Sequence, residues 1–343
     1  SSSQSERAWP PFQAQIKTQE MLKRLIIPAV LVLTLGCCTK IVQQSGPTDN
    51  TEISYQVISG RTKAPLEAYP TTVPFVSSAW YLPQGKKWDA NKKDAQPYIS
   101  SAVISYDSST DVFKATTPYY WPKKGSLTFM AYSPESAKIQ ITKDKGVEIT
   151  GWATNGSDKR IDLMVADIVK DKSASGTSYG MVGVPIVFRH ILSKVAVTAF
   201  IEDGVSGKEI YLNRIVFRNV YGKADFNGSE WTNRDDVHDV DNTLTQAIKL
   251  GIDKTHIIET MLLIPQSLSA AGTRGNVEME IHYTINGIDE KVIISLNKHG
   301  AAWERGKYTE YQIIFGTSDH PIDFGGSVSD WTDYKNTDIV IGG

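Results

Sequence analysis

Residues 276–285 read NVEMEIHYTI, and this stretch decides the fold class. Apolar side chains occupy every second position, and charged or polar side chains lie between them. The apolar set is Val277, Met279, Ile281, Tyr283 and Ile285. A period of two residues is typical of a strand with one buried face and one solvated face. Asn286-Gly287 follows directly and predicts a tight hairpin turn into a second strand.

The same alternation recurs on both sides of this stretch, at residues 195–201, 292–296 and 311–315. Amphipathic helical patterns are scarce, and residues 242–252 are the one segment for which we predict a short helix. Many short strands separated by turn residues predict an all-β chain, built of antiparallel sandwiches.

The chain length and the net charge restrict the number of domains and the kind of partner that we expect. The chain has 343 residues, which is long for one average domain and predicts two. The Ser/Gly-rich stretch DKSASGTSYG at residues 171–180 predicts the boundary, so we expect domains at 52–183 and 184–343. Lys and Arg number 36 against 38 Asp and Glu, a formal net charge of −2. We expect no nucleic-acid partner, because phosphate binding needs clustered cations.

The beginning of the chain has the features of an export signal. Residues 21–38 read MLKRLIIPAVLVLTLGCC: two basic residues, an apolar run, and then Gly36 before cysteine. The apolar run at 25–35 is shorter than the roughly 20 residues that span a bilayer, and it fits a secretory signal. We therefore predict a lipoprotein signal peptide at 21–36, cleaved before a cysteine that carries diacylglycerol. A plain signal peptide and a buried helix are the alternatives.

Either of two adjacent cysteines can be the lipidated residue. Gly36 favours Cys37, whereas Leu35 at three residues before the cut favours Cys38; we choose Cys37. The chain has no third cysteine, so we expect no disulfide in the folded body. We interpret residues 1–20 as upstream translated or expression-derived sequence, and the polar residues 37–51 as a tether.

Motifs for catalysis or metal binding are weak, so we expect neither an enzyme nor a cofactor. The segment 176–180 matches G-x-S-x-G, but a Ser/Gly loop precedes Ser178 and a strand-like run follows, the reverse of a nucleophile elbow. His190 lies in a strand-like segment, where we expect a structural role rather than a metal ligand. The acidic stretch DDVHDVDN at 235–242 lacks the spacing of a calcium loop, and we interpret it as a solvated loop.

Five segments, taken in order and spacing, resemble a known family. They are YWP at 120–122 with LTFMAYSP at 127–134, DLMVA at 162–166, VFRHILSKV at 187–195, WERGKY at 303–308 and VSDW at 328–331. Together they resemble the fimbrillin-like (Mfa-like) lipoproteins of Bacteroidales, the subunits of type V pili.

This resemblance implies two tandem transthyretin-like antiparallel β-sandwich domains and export as an outer-membrane lipoprotein. It also implies cleavage by an arginine-specific protease and polymerisation with other fimbrial subunits by donor-strand exchange at the cell surface. Arg61 is the candidate cleavage site, with Thr62 as the new N-terminus, and the strand-like residues 52–58 would be released. A surface turn with a solvated Arg61 is the alternative.

The donor strand in this scheme is the segment 336–343, NTDIVIGG, with the β-branched residues Ile339, Val340 and Ile341. Pairing of this segment with its own domain is the alternative. The β-branched triplet favours a polymerising subunit over a tip or anchor subunit. A second hypothesis is a surface lipoprotein that does not polymerise and binds host or dietary glycans, because exposed tryptophans can stack on sugars.

Overall fold

The computed structural model describes residues 51–58, 69–154, 161–174, 183–205, 207–316 and 322–331. Within these ranges the strands, in chain order, are β1 Ser54–Val57, β2 Phe75–Leu82, β3 Gln96–Asp107, β4 Val112–Ala115, β5 Ser126–Ser133, β6 Gln140–Thr142, β7 Gly146–Ala153, β8 Met164–Ala166, β9 Val169–Lys172, β10 Val184–Ile186, β11 Phe188–His190, β12 Ser193–Ile201, β13 Ile210–Phe226, β14 Trp231–Lys249, β15 Thr255–Leu263, β16 Gln266–Ser267, β17 Glu278–Ile285, β18 Ile288–Ser295, β19 Ala302–Trp303, β20 Lys307–Phe315 and β21 Ile322–Asp330. One short α-helix, α1 at Trp88–Asn91, occurs in the same ranges, with 3-10 turns at Lys92–Asp94, Glu135–Ala137 and Leu296–Lys298. The all-β prediction is confirmed.

The first sheet curls around its own core. Its strand order is β10-β1-β4-β3-β2-β5-β8-β11, with β9 also paired to β5. The two ends of this path, β10 and β11, follow each other in the chain, separated by Val187 alone. The sheet therefore nearly closes on itself and encloses an aromatic core. The largest buried side chains of this core include Tyr55, Phe75, Phe129 and Phe188.

The second and third sheets form a sandwich. The second sheet has the order β15-β12-β20-β21, and the third has the order β18-β17-β13-β7-β6, with β14 also paired to β13. Their inner faces share one core, which includes Val197, Ile215, Phe217, Ile281 and Ile313. Alternating apolar residues on these strands make this core, because every second side chain points to the same face.

The stretch that predicted the fold class lies in this sandwich. Val277, Met279 and Ile281 are buried, and Glu278 and His282 are partly exposed, as the alternation predicts. Glu280, on the face predicted to be solvated, is instead buried. β17 pairs with β18 so that Ile285 lies opposite Ile288, which leaves Asn286-Gly287 as a two-residue turn. The hairpin prediction is confirmed.

The predicted helix at 242–252 is wrong, and so is the acidic loop at 235–242. Both segments lie mostly in β14, which pairs with β13 from Tyr211 opposite Lys249 to Phe226 opposite Trp231. Val240, Leu244 and Ile248 pack against the sandwich core at a spacing of four residues. This spacing fits one helix face and also fits one strand face, so the pattern is ambiguous. Pairing along the whole length of β13 then favours the strand.

The strands do not divide cleanly at residue 183. β6 and β7 extend the third sheet, although they precede this position, and β10 and β11 complete the first sheet, although they follow it. All of the described residues fall in one compact unit. The domains at 52–183 and 184–343 stay a prediction. No helix in the described ranges has the length and apolar character that crossing a bilayer requires.

Replacing Ile281 by alanine tests the role of β17 in the sandwich core. Ile281 has no exposed surface, so its truncation removes buried contacts and leaves a cavity. We expect the free energy of unfolding to fall by about 2–5 kcal/mol, measured by urea denaturation. Thr284→Ala, on the partly exposed face of the same strand, should change it by about 0.5 kcal/mol or less. Equal effects of the two substitutions would contradict the assignment of faces.

Candidate functional site: the first strand and its slot

The first strand is inserted between two other strands of its sheet. β1 runs antiparallel to β4, with Tyr55 opposite Phe113, and parallel to β10, with Tyr55 opposite Val184. We call the gap between β4 and β10 that β1 fills the slot. Because β1 has a partner on each side, it is an interior strand and not an edge strand of the sheet.

Backbone hydrogen bonds continue beyond both ends of β1. The Ile53 amide donates to the Tyr119 carbonyl at 2.7 Å, and the Trp121 amide donates to the Thr51 carbonyl at 2.9 Å. At the other end the Ile58 amide donates to the Ile186 carbonyl at 2.9 Å. The described segment 51–58 is therefore hydrogen-bonded to the connection between β4 and β5 at its beginning and to β10 at its end.

Two side chains of this segment belong to the core. Ile53 and Tyr55 are 2% and 1% exposed. The Tyr55 ring meets Phe75 at 5.7 Å and Phe129 at 5.8 Å between centroids, edge to face in both cases. Burial raises the pKa of the Tyr55 phenol well above its ordinary value, so the ring enters the core uncharged. Burying each such side chain contributes roughly 1.5–3 kcal/mol.

A glycine beside the slot allows β10 to approach β1. Gly183 has a φ of +86°, and a Cβ placed on it would lie 2.7 Å from the backbone carbonyl carbon of Tyr55. No larger residue fits at this position without moving one of the two strands. Sequence reasoning did not identify Gly183, because it ends a Ser/Gly-rich stretch in which a single glycine carries no particular signal.

Loss of β1 would have two consequences for the first sheet. Within the described ranges β10 pairs with β1 alone, so β10 would lose its ladder partner. The edge of β4 that faces the slot would expose unpaired amide and carbonyl groups next to an apolar cavity left by Ile53 and Tyr55. Such an edge is a template for another strand.

Most of the site residues predicted from sequence lie outside the described ranges. This applies to Cys37 and Cys38, to Arg61 and Thr62, to Ser178, and to the donor triplet Ile339, Val340 and Ile341. The segment 59–68, which contains Arg61, connects two anchored residues. Ile58 precedes it on the edge of β10, and Tyr69 follows it with its ring stacked on Phe188 at 5.1 Å.

The described chain ends at a second anchored aromatic residue, Trp331, directly after β21. The Trp331 ring stacks on the His190 ring at 3.6 Å between centroids, and its amide donates to the Gly306 carbonyl at 3.0 Å. His190 is buried, and its Nδ1 lies 2.7 Å from Asp162 Oδ1. His190 therefore has the structural role predicted for it, and it links the end of β21 to β11 of the first sheet.

The acidic stretch predicted as a loop is an exposed part of β14. Arg214 donates two hydrogen bonds to the Asp241 carboxylate, one of them from Nε to Oδ1 at 2.9 Å. These hydrogen bonds lower the pKa of Asp241. Among the residues that the structure describes, no group of three or more His, Cys, Asp or Glu could hold a metal ion.

Comparison with known proteins identifies the family. A model of the fimbrillin-like family matches residues 86–331, which is most of the chain. The chain belongs to the fimbrillin-like family. No curated protein matches it.

Three solved structures share the fold of this fimbrillin-like protein. A fimbrial protein from Bacteroides vulgatus ATCC 8482 is 15% identical, with a TM-score of 0.62 over 82% of this chain and 99% of that chain. A candidate cell adhesion protein from Bacteroides uniformis ATCC 8492 is 19% identical, with a TM-score of 0.51 over 82% and 100%. Another, from Bacteroides ovatus ATCC 8483, is 12% identical, with a TM-score of 0.50 over 84% and 100%.

Membership in the fimbrillin-like family implies a fimbrial subunit at the cell surface that associates with other fimbrial subunits. The family consists of structural subunits and is not a family of enzymes.

Replacing Gly183 by alanine should loosen β1 in its slot. The new Cβ meets the Tyr55 backbone, so we expect faster hydrogen exchange of the amides in 54–58 than in the unsubstituted protein. Gly204→Ala is the matched control: Gly204 has a φ of +95°, and a Cβ placed on it would have no described heavy atom within 4 Å. Gly204→Ala also places an alanine at a positive φ, which costs about 1–2 kcal/mol, but it introduces no clash. Unchanged exchange in Gly183→Ala would contradict the close approach.

Proposed function

We propose that this fimbrillin-like protein is exported as an outer-membrane lipoprotein, cleaved after Arg61, and polymerised into a fimbria by donor-strand exchange. The observation that carries this proposal is the position of β1. It is an interior strand that supplies Ile53 and Tyr55 to the core, and the chain reaches Arg61 three residues after Ile58. A cut there separates this strand covalently from the remainder of its sheet.

No covalent link holds β1 in place after such a cut. The chain has two cysteines, Cys37 and Cys38, and both lie on the N-terminal side of β1. The cut strand is held by backbone pairing and by the burial of Ile53 and Tyr55. Each hydrogen bond contributes a net of about 1 kcal/mol, so the cut strand is bound by noncovalent terms that another strand can match.

The replacing strand must meet the requirements of the slot. It needs β-prone apolar residues at alternate positions and free backbone groups on both edges, because β4 and β10 both pair with it. Ile339 and Ile341 fall at alternate positions of the segment 336–343 and provide such a pattern. Trp331, which is held by its stack on His190, is the last described residue before this segment.

Each subunit in this scheme accepts one strand and donates another. A contact of this head-to-tail kind does not close on itself, so it generates a filament. A tip or anchor subunit would use half of the scheme: a tip accepts without donating, and an anchor keeps its lipid and β1.

Limited cleavage with an arginine-specific protease tests the proposal. We expect a new N-terminus at Thr62 by mass spectrometry, followed by a ladder of oligomers on a native gel. Arg61→Ala should abolish both. Ile339→Asp/Ile341→Asp should permit the cut and abolish the ladder, because the slot cannot bury two carboxylates. Asn336→Asp, which adds charge outside the β-branched triplet, should retain the ladder.

Three results would count against the proposal. A chain resistant to cleavage at Arg61 would identify an anchor or a non-polymerising surface protein. A cut product that stays monomeric would refute strand exchange. Ladders that persist in Ile339→Asp/Ile341→Asp would refute the assignment of the donor.

Labelling with a radioactive fatty acid in cells tests the lipid anchor. We expect the label in the unsubstituted chain and in Cys38→Ala, and its loss in Cys37→Ala, because the signal peptidase cuts before the cysteine that is modified. Label retained in Cys37→Ala and lost in Cys38→Ala would move the site by one residue. No label in the unsubstituted chain would indicate a plain signal peptide.

A further inference from the structure

Two lysine pairs meet at one end of the first sheet. Lys86-Lys87 follows Gly85 in the connection after β2, and Lys123-Lys124 precedes Gly125 in the connection into β5. β2 and β5 are antiparallel neighbours with Leu82 opposite Ser126. Their register therefore places the two connections side by side, although the pairs are far apart in sequence.

Both connections line one cleft of about 420 Å³, which we call the lysine cleft. Its lining includes Lys86, Lys87, Lys123, Lys124, Gly125 and Asp171. The volume lies within the range of about 300–1,000 Å³ that is typical of ligand sites. The four lysines are exposed, so their charges face solvent.

The walls of the lysine cleft are held in place. Gly125 has a φ of +86°, and a Cβ on it would lie 2.4 Å from the Leu82 carbonyl oxygen, so glycine is required where the two connections touch. Trp88 anchors the other side: it is buried, and its amide donates to Asp171 Oδ1 at 2.9 Å.

The charges of Lys87 and Lys124 are not neutralised by the described residues that line the cleft. Asp171 is the one acidic residue in that lining, and Lys86 Nζ pairs with Asp94 Oδ2 at 2.8 Å just outside it. Lys87 and Lys124 form no ion pair with any residue that the structure describes. The pKa of Asp94 is lowered by its hydrogen bond to Lys86, and the charges of Lys86, Lys93 and Lys143 lower it further.

We propose that the lysine cleft binds an acidic polysaccharide, with Lys87 and Lys124 contacting its sulfate or carboxylate groups. The exposed lysines lie on two separate connections, and a polymer with repeated anionic groups can contact both connections at once. Tyr120 is exposed and lies two residues before Pro122, which lines the cleft. An exposed aromatic ring can stack on a sugar. This site does not depend on cleavage after Arg61 or on strand exchange.

Binding of the full-length chain to dextran sulfate, with neutral dextran as the control polymer, tests the site. We expect binding to dextran sulfate that weakens as salt is raised, and no binding to dextran. Lys87→Gln/Lys124→Gln should weaken binding about tenfold, because it removes two modest electrostatic contacts. Lys208→Gln/Lys298→Gln is the matched control: it removes the same charge from exposed positions outside the cleft and should leave binding unchanged.

Four results would overturn the proposal. They are equal binding of dextran and dextran sulfate, equal loss in both double variants, no loss in Lys87→Gln/Lys124→Gln, and no binding at all. A second binding measurement compares vesicles of phosphatidylcholine alone with vesicles that also contain the anionic lipid phosphatidylglycerol. Binding to the anionic vesicles in place of the sulfated polymer would assign the cleft to a membrane surface instead.

Discussion

The pairing of β1 with both β4 and β10 is the constraint on which the first sheet depends. β10 has no other ladder partner in the described ranges, so the closure of the sheet around its aromatic core passes through β1. The same strand places Tyr55 between Phe75 and Phe129. One short segment of the chain therefore provides hydrogen bonds, aromatic contacts and closure together, and its removal would affect all three.

The two ends of the described chain are fastened by different means. The first end is fastened by strand pairing, which any extended segment with suitable side chains can reproduce. The last end is fastened by Trp331 on His190, a stack between two particular rings that is supported by Asp162. In the proposed assembly the replaceable contact lies at the accepting end of the subunit, and the fixed contact lies at the donating end.

Local patterns in the sequence predicted much of this structure. The alternation at 276–285 and the Asn-Gly turn are local signals, and they identified β17 and its hairpin. The strand-like residues 52–58 contain β1. The prediction of a helix at 242–252 failed because Leu244 and Ile248 fit a helix as well as a strand, and only pairing with β13 decides between them. Gly183 and the lysine cleft could not be found, because each depends on contacts between segments that are distant in the sequence.

The direction of the hydrogen bonds around β1 has a mechanical consequence. These bonds run across the strand on both sides, so a force along the strand strains them together in shear. A force applied at right angles at one end would instead open them one after another, each at a lower load. A strand seated in this position therefore resists tension along its own length much better than it resists being peeled away.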